Sequence, residues 1–531
     1  MDMNRIVRPA AIFLVAVLAV SAACRPAAKT SPAAAVKPDS VRTIAIFYTS
    51  DEEGYLEQRS DKEKTYGGAA NVLAALRQRG YSPDGDKALL LSGGDIWTGP
   101  AISSWFRGVS TIQVTNAMGY DAAAVGNHEF DFGQDTLRAN AAAARFPFLS
   151  ANTVVAQTGK APDFARPYVI REVNGVRVAI IGLTTLETPR IVVPKNIQGL
   201  AFTDYAEALR RAVPRARAEG AELPIVIAHV CPSELSALIP VASELSIPLL
   251  AGGHCHSDSL VNFERDGVRI IGAGAHWQAF VRADITFNVG TGKVLNTRAE
   301  LVPVEHVPGA GPFTPDAGIE AIVGEWSKKV SEALGEVIGY SQTGIERGWP
   351  LFNLFVDAWL WSHPEADIAI SNFGGFREAI HPGEITRADI VACWPFENDL
   401  VEVELTGQQV ADNLLCCGGA VAGLTYRQSG GRVIASLKDG RDLDPRATYH
   451  VLVNSFIYAG GDNYLFPKQN PGGHSTGVHD RDPVIQWILA QRTSRERPLE
   501  TLVDKTPRGP ARFPIKSGRT TKGPNSGNSI Y

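Results

Sequence analysis

Six short apolar runs punctuate the first half of the chain: TIAIFYTS, KALLLSGG, AAAVG, VAIIGLT, LPIVIAHV and IPLLAGG. Each is too short for a helix that could stand alone, and helix-like stretches such as GGAANVLAALRQRG lie between them. Buried strands alternating with helices predict an α/β domain built on parallel sheet. Five of the runs end against a residue that can ligate a metal. Asp51 follows the first, Asp95 the second, and Asn127 with His128 the third; His229 closes the fifth, and His254 and His256 follow the sixth. In such sheets the carboxyl ends of the strands form the ligand-binding edge. An aspartate after a strand often only caps a helix, and a single histidine is usually structural. Five strands delivering oxygen and nitrogen donors to one edge predict a metal site.

The strand-like IIGAG and the alternating FVRADITFNV extend this domain over residues 43–305. The Pro/Gly-rich HVPGAGPFTPDAG then breaks the pattern, and the helix-like EAIVGEWSKKVSEALGEVIG makes residues 306–340 a linker and connecting helix. A second mixed α/β region is expected over 341–505, with LFNLFVDAWLWSH and GQQVADNLL as helices and ADIAISN, LVEVELTG and YHVLVNSF as strands. Two domains suit 531 residues. The 51 basic against 56 acidic side chains, a net charge of -5, argue against a binder of nucleic-acid polymers. Six cysteines are too few for a disulfide scaffold.

Residues 1–23 read as an export signal: Arg5 and Arg8, an apolar Ala10 to Val20, then small residues before Cys24. That apolar run is shorter than the roughly 20 residues a spanning helix needs. Cys24 resembles a bacterial lipoprotein acylation site, with Ser21 where an aliphatic residue is usual. Plain secretion is the alternative, and either reading predicts an exported, periplasmic or cell-surface protein. Residues 24–42 would serve as a tether, and 506–531, with Lys and Arg but no Asp or Glu, as a disordered basic tail.

The motifs Gly94-Asp95-Ile96-Trp97-Thr98-Gly99, Gly126-Asn127-His128-Glu129-Phe130-Asp131 and Gly252-Gly253-His254-Cys255-His256 resemble the blocks of calcineurin-like metallophosphoesterases, in particular the ecto-5′-nucleotidase and periplasmic UDP-sugar hydrolase family. The resemblance implies a four-layer αββα domain holding two divalent metal ions. Asp95 would bridge them, one held also by Asp51 and His256, the other by Asn127, His229 and His254. Two cations about 3.5–4 Å apart neutralise an anionic ester and activate water for in-line attack. His128, with Asp131 behind it, would form a catalytic dyad that stabilises phosphate and leaving group. One departure stands in the first block, where Glu53 occupies the family's histidine position. As a ligand, a carboxylate would shift preference from Zn²⁺ toward Mn²⁺, Mg²⁺ or Ca²⁺. The alternative is that Glu52 and Glu53 are solvated loop carboxylates. Cys231 and Cys255, beside proposed ligands, are expected not to be ligands themselves; whether they pair is not readable from spacing. Cys416 and Cys417, at a helix end, read as core residues or stay unassigned.

Asn372-Phe373-Gly374-Gly375-Phe376-Arg377, Trp394-Pro395-Phe396 with Leu405-Thr406-Gly407, and Phe456 with Gly460-Gly461-Asp462 resemble the same family's substrate-binding domain. The resemblance implies that Phe396 and Phe456 sandwich a nucleotide base, a stack worth about 1–3 kcal/mol per base. Asp462 would take the ribose hydroxyls, Arg377 the phosphate, Asn372 a base or phosphate contact, and Arg347 a second phosphate clamp. Phe373 and Phe376 replace the family's glycine and isoleucine, which leaves the preferred base open. The expected activity is 5′-nucleotidase, extending to UDP-sugars or nucleoside di- and triphosphates. Rivals are a 2′,3′-cyclic nucleotide phosphodiesterase, a sulfur-ester hydrolase, or a nucleotide-binding lipoprotein with weakened catalysis. With base and metals on different domains, rotation about 306–340 would gate the site.

Overall fold

The computed structural model describes residues 40–60, 65–256, 260–306 and 314–510. The expected signal, Cys24 and all of the tail beyond residue 510 lie outside the described residues, as does the tether up to residue 39. In the first half two six-stranded sheets stack face to face. One runs in spatial order Lys293–Pro303, Ala279–Asn288, Val41–Thr49, Ala88–Ser92, Ala122–Ala124, Phe148–Leu149. The other runs Leu260–Arg265, Val268–Ala273, Leu249–Gly252, Leu223–His229, Val176–Thr184, Tyr168–Val173. In the second sheet the four inner strands pair in parallel and both edge strands antiparallel; in the first, the four strands from Val41–Thr49 to Phe148–Leu149 pair in parallel, and Ala279–Asn288 and Lys293–Pro303 join antiparallel.

The sequence patterns have direct physical counterparts. Leu223–His229 is buried at all seven positions because both faces of its sheet are covered. Ala279–Asn288 alternates along its second half, with every other side chain turned toward solvent. Ile44, Ile46 and Leu91 meet Ile180, Ile225 and Ile271 in the seam between the sheets. Helices Ala69–Gln78, Val109–Met118 and Ala317–Leu334 cover the first sheet, with Val72, Leu76 and Ile112 in its core. Tyr205–Ala218 and Ile239–Glu244 cover the second through Leu209, Val213 and Ile239. The expected four-layer αββα domain is present.

The connecting helix Ala317–Leu334 is a working part of that domain. Asp316 caps it by accepting from the Ile319 amide at 3.0 Å, Trp326 packs on Phe106 with ring centroids 4.8 Å apart, and its indole N–H donates to Gln113 at 2.9 Å. The VIG at the end of the expected helix is strand instead: Gly335 ends the helix, and Val337–Ser341 pairs with Gly383–Thr386. The second half centres on a five-stranded mixed sheet ordered Ala420–Ala422, Ile368–Ser371, Thr448–Asn454, Asp399–Thr406, His474–His479. Helices Trp349–Ser362 and Asp482–Gln491 pack on one face through Leu351, Phe355, Val484 and Ile488. Gly407–Cys416 and the hairpin Leu424–Ser429/Arg432–Leu437 contribute Val410, Leu414, Tyr426 and Ala435 to a second core.

Candidate active site

Both stacked sheets send residues to one edge. Asp51, Asp95 and Asn127 leave the ends of Val41–Thr49, Ala88–Ser92 and Ala122–Ala124; His229 ends its strand in the other sheet, and His254 and His256 follow Leu249–Gly252. The loops are stitched by main-chain bonds, Asp51 N–H to Gly94 O at 3.0 Å and Glu53 N–H to Asp95 O at 2.9 Å. Of fifteen non-glycine residues with positive φ among the described residues, six are Asp51, Glu53, Asp95, His254, His256 and His276. Each such conformation costs of order 1–3 kcal/mol and persists only where surroundings impose it, which is characteristic of functional sites.

Three overlapping donor groups lie at this edge, the third of them Glu53, Asp95 and His128. In the first, Asp95, His229 and His254 converge: Asp95 Oδ2 lies 2.8 Å from His229 Nε2, which lies 3.2 Å from His254 Nδ1. His229 Nδ1 donates to the Gly93 carbonyl at 3.1 Å, so in the neutral ring Nε2 carries a lone pair aimed at a carboxylate. Two lone pairs at that distance need positive charge on or between them. Burial opposes a charged His229, but Asp95 outweighs it and raises the imidazole to about 10. Asn127 Oδ1, in the same region, is buried without a hydrogen-bond partner. An orphaned acceptor, a lone-pair nitrogen and a carboxylate at one edge are the donor set a divalent cation takes, so these residues fit the expected metal.

The second group is Glu53, His256 and His276. His256 Nε2 lies 3.4 Å from Glu53 Oε1 and 3.9 Å from Asp51 Oδ1; His276 Nε2 lies 2.7 Å from Glu53 Oε2. Glu52 and Glu53 are not solvated loop carboxylates, being 0% and 1% exposed. Glu52 points away from the edge, accepting from Thr49 Oγ1 at 2.5 Å and Ser92 Oγ at 2.8 Å, and burial pushes its carboxyl up to about 8. Burial would raise Glu53 too, but Arg377, which ion-pairs with it, and His256 hold it well below the usual carboxylate range.

His128 stands between these groups and the second domain. Its Nδ1 donates to Asp131 Oδ2 at 2.7 Å, and its Nε2 faces Glu53 Oε1 at 3.8 Å and Asp95 Oδ2 at 4.0 Å. Burial works against a charged ring, but Asp131 and then Asp95 raise it to about 9. Sequence reasoning missed Glu129, although it lies inside the GNHEFD motif. It is buried and accepts from the amides of Asp95 at 2.9 Å, Ile96 at 2.8 Å and Gly126 at 2.6 Å, tying two metal-edge loops together. His276 was missed as well, standing alone in GAGAHWQAF with no ligand-like spacing to betray it.

A cavity of about 350 Å³ opens between the domains. Asp95, Asn127, His128, Asp131, His254 and His256 line one side; Asn372, Arg377, Phe396, Phe456 and Asp462 line the other. Phe396 lies 6.0 Å from His128, ring centroid to centroid. Phe456 sits on the short helix Ser455–Tyr458, capped by Asn454, whose Nδ2 also donates to Asn372 Oδ1 at 3.1 Å; Asn372 Nδ2 in turn donates to Asp462 Oδ2 at 2.9 Å. Asn454 is thus a supporting residue that no motif marked. A Cβ on Gly461 would lie 2.4 Å from the Phe456 ring, so glycine there is what admits the ring. Arg347 does not line the cavity; surrounding protein that desolvates its guanidinium, and then the like charge of Arg377, lower its pKa. Phe373 and Phe376 are buried in the second-domain core. Cys231 pairs with Cys255, closing the His229 loop onto the His254–His256 loop, and Cys416 pairs with Cys417. The core reading of the last two gives way to a vicinal disulfide.

Stacked sheets with metal donors at their shared carboxyl edge, facing a second domain across a cleft, define a metal-dependent phosphohydrolase. The family model for the 5′-nucleotidase C-terminal domain matches residues 337–469. The chain is 29% identical over 543 residues to a 5′-nucleotidase of Vibrio cholerae serotype O1, covering 90% of this chain and 94% of that one. It is 26% identical to the endonuclease YhcR of Bacillus subtilis over 84% of its own length but spans only 39% of that larger protein. The crystal structure of a 5′-nucleotidase precursor from Thermus thermophilus superposes with a TM-score of 0.73 at 25% identity, covering 88% of this chain and 99% of that one. Over most of its length the chain is similar to 5′-nucleotidases, and its residues 337–469 match the C-terminal domain of that family.

Proposed function

We propose that this protein is an exported 5′-nucleotidase that removes phosphate from nucleoside 5′-monophosphates, with nucleotide sugars and nucleoside di- and triphosphates as further substrates. The observation that carries this reading is the cavity whose two walls offer complementary chemistry, metal donors and His128 on one, aromatic rings and Arg377 on the other. Asp51, Glu53, Asp95, Asn127, His229, His254 and His256 would hold two divalent cations, which supply charge neutralisation of the phosphate and activation of water. Arg377 presents a planar fork of donors to a phosphate oxygen. Phe396 and Phe456 offer π-faces to a base, and Asp462, held by Asn372, accepts from ribose hydroxyls. His128, kept charged by Asp131, donates from Nε2 to the phosphate or to the departing ester oxygen. Cys24 would anchor the exported chain to a membrane by a lipid.

The test is phosphate release from AMP, UMP, ATP, UDP-glucose and 2′,3′-cyclic AMP under Mn²⁺, Mg²⁺ or Zn²⁺, with His128→Asn and Asp95→Asn as controls. Turnover of monophosphates that both substitutions abolish is expected. Nucleotide binding without turnover of any substrate would instead identify a binding lipoprotein.

A further inference from the structure

The resemblance read from the sequence implies a histidine where this chain has Glu53, and the structure brings an imidazole to Glu53 from elsewhere in the chain. His276 lies on the loop between Val268–Ala273 and Ala279–Asn288, far from the motif in sequence. Its placement is tightly determined. The His276 amide donates to Asp51 O at 2.7 Å, which fixes the loop to the strand end that carries the first ligand. Its backbone is held at φ 56°, a conformation an unbranched side chain adopts only when constrained. Its ring stacks on Tyr55 with centroids 3.8 Å apart and planes 31° from parallel, which fixes the plane of the imidazole. That orientation puts Nε2 at 2.7 Å from Glu53 Oε2 and the ring 5.5 Å from the His256 ring.

We infer that His276 is a ligand of the first metal ion, together with Glu53 and His256, and replaces the histidine whose position Glu53 occupies. This rests on the dinuclear reading of the metal edge. The three side chains offer donor atoms that all lie within 4.8 Å of one another, and Glu53 also approaches Asp95 and His128 within that distance, so this group adjoins the Asp95–His229–His254 group. Tyr55, stacked on the ring, is buried. The ring's other nitrogen does not oppose ligation: Arg59 Nη1 is 3.4 Å from Nδ1, too long to fix the tautomer, while its Nη2 is committed to Glu378 at 2.9 Å. The donor set then becomes carboxylate plus two imidazoles. The first site keeps its nitrogen count and gains a negative charge, so Glu53 strengthens divalent binding generally instead of excluding Zn²⁺.

The test is a metal-binding measurement on the mature full-length chain. Mn²⁺ is titrated into the metal-free protein and followed by calorimetry and by electron paramagnetic resonance, with metal content determined after gel filtration. Wild type is expected to hold two Mn²⁺ per chain with a spin-coupled signal. His276→Phe keeps the stack on Tyr55 but offers no donor. It should hold one, with the coupled signal lost and affinity at the first site reduced more than about 100-fold, beyond the 10–100-fold that loss of a merely orienting partner costs. Circular dichroism reports folding, and Glu53→His in the His276→Phe background should restore the second ion. Two ions retained at unchanged or less than about 100-fold weaker affinity would overturn the assignment while leaving the dinuclear site standing. A wild type that binds one ion would overturn the dinuclear reading itself, and this one with it.

Discussion

Trp394 shows how one side chain serves both core and cavity. Its indole N–H donates to Asp480 Oδ2 at 2.7 Å, both residues being buried, and its ring lies where a Cβ on Gly375 would intrude at 2.2 Å. Trp394→Phe keeps most of the apolar contact but strips the carboxylate of that donor, at a cost of about 1–3 kcal/mol. Thermal unfolding should fall by roughly 2–4 °C per kcal/mol; an unchanged midpoint would show that the bond contributes nothing. Asp121 offers a pH test away from the metal edge. Burial raises it to about 6, with the Leu90 amide, donating at 2.9 Å, only partly opposing. An unfolded aspartate titrates near 3.9. Between those values the folded chain binds more protons than the unfolded one, so this contribution to stability is complete below about pH 4 and lost as pH rises through 6. Asp121→Asn can still accept from Leu90 but does not ionise. Relative to wild type it should gain stability between pH 4.5 and 7.5, and a constant difference in melting temperature across that range would refute the burial argument.

The strands delivering the ligands read directly from sequence because parallel strands covered on both faces must be short, continuous and apolar, as TIAIFYTS and LPIVIAHV are. The loops at their carboxyl ends were less legible. The left-handed backbone at Asp51, Glu53 and Asp95 comes from contacts between loops, which a one-dimensional pattern does not encode. For the same reason the sequence did not reveal that Glu52 turns to Thr49 and Ser92 or that Glu129 clamps three amides, whereas Glu53, marked by its motif position, does reach the edge. The candidate substrate residues came from motifs, whereas Asn454, behind Asn372, had none. Gly126 tests how closely these loops approach. A Cβ there would lie 2.2 Å from Asp95 Oδ1 and 2.6 Å from the Asp95 amide. Gly126→Ala should therefore leave the strands intact by circular dichroism while displacing Asp95, with phosphate release lowered at least tenfold and Mn²⁺ affinity reduced. Wild-type affinity in that variant would mean that the loops are looser than their contacts indicate.

The two domains meet through charges that belong to the site itself. Arg377 of the second domain pairs with Glu53 of the first, Glu378 accepts from Tyr55 and Arg59, and exposed Arg107 bonds Glu397 at 3.1 Å at the periphery. Leu334, at the end of the connecting helix, packs with Ala101 and Val391. That helix therefore touches both halves, through Trp326 on Phe106 of the first and through Leu334 on Val391 of the second. The Glu53–Arg377 pair then sets up a competition. A carboxylate oxygen engaged by guanidinium is less available to a cation, and a guanidinium engaged by carboxylate is less available to phosphate. Arg377→Ala removes one competitor from each. Mn²⁺ should bind the variant more tightly than wild type by calorimetry, since a positive charge has left the edge. KM for AMP should rise roughly 10- to 150-fold, the equivalent of the 1.5–3 kcal/mol that a hydrogen bond to a charged group carries. Small-angle scattering should also show a broader spread of domain arrangements, one cross-domain tie being gone. If Mn²⁺ affinity instead falls while KM rises, Arg377 acts by positioning Glu53 for the cation, and the pair is a brace between the domains and not a competition.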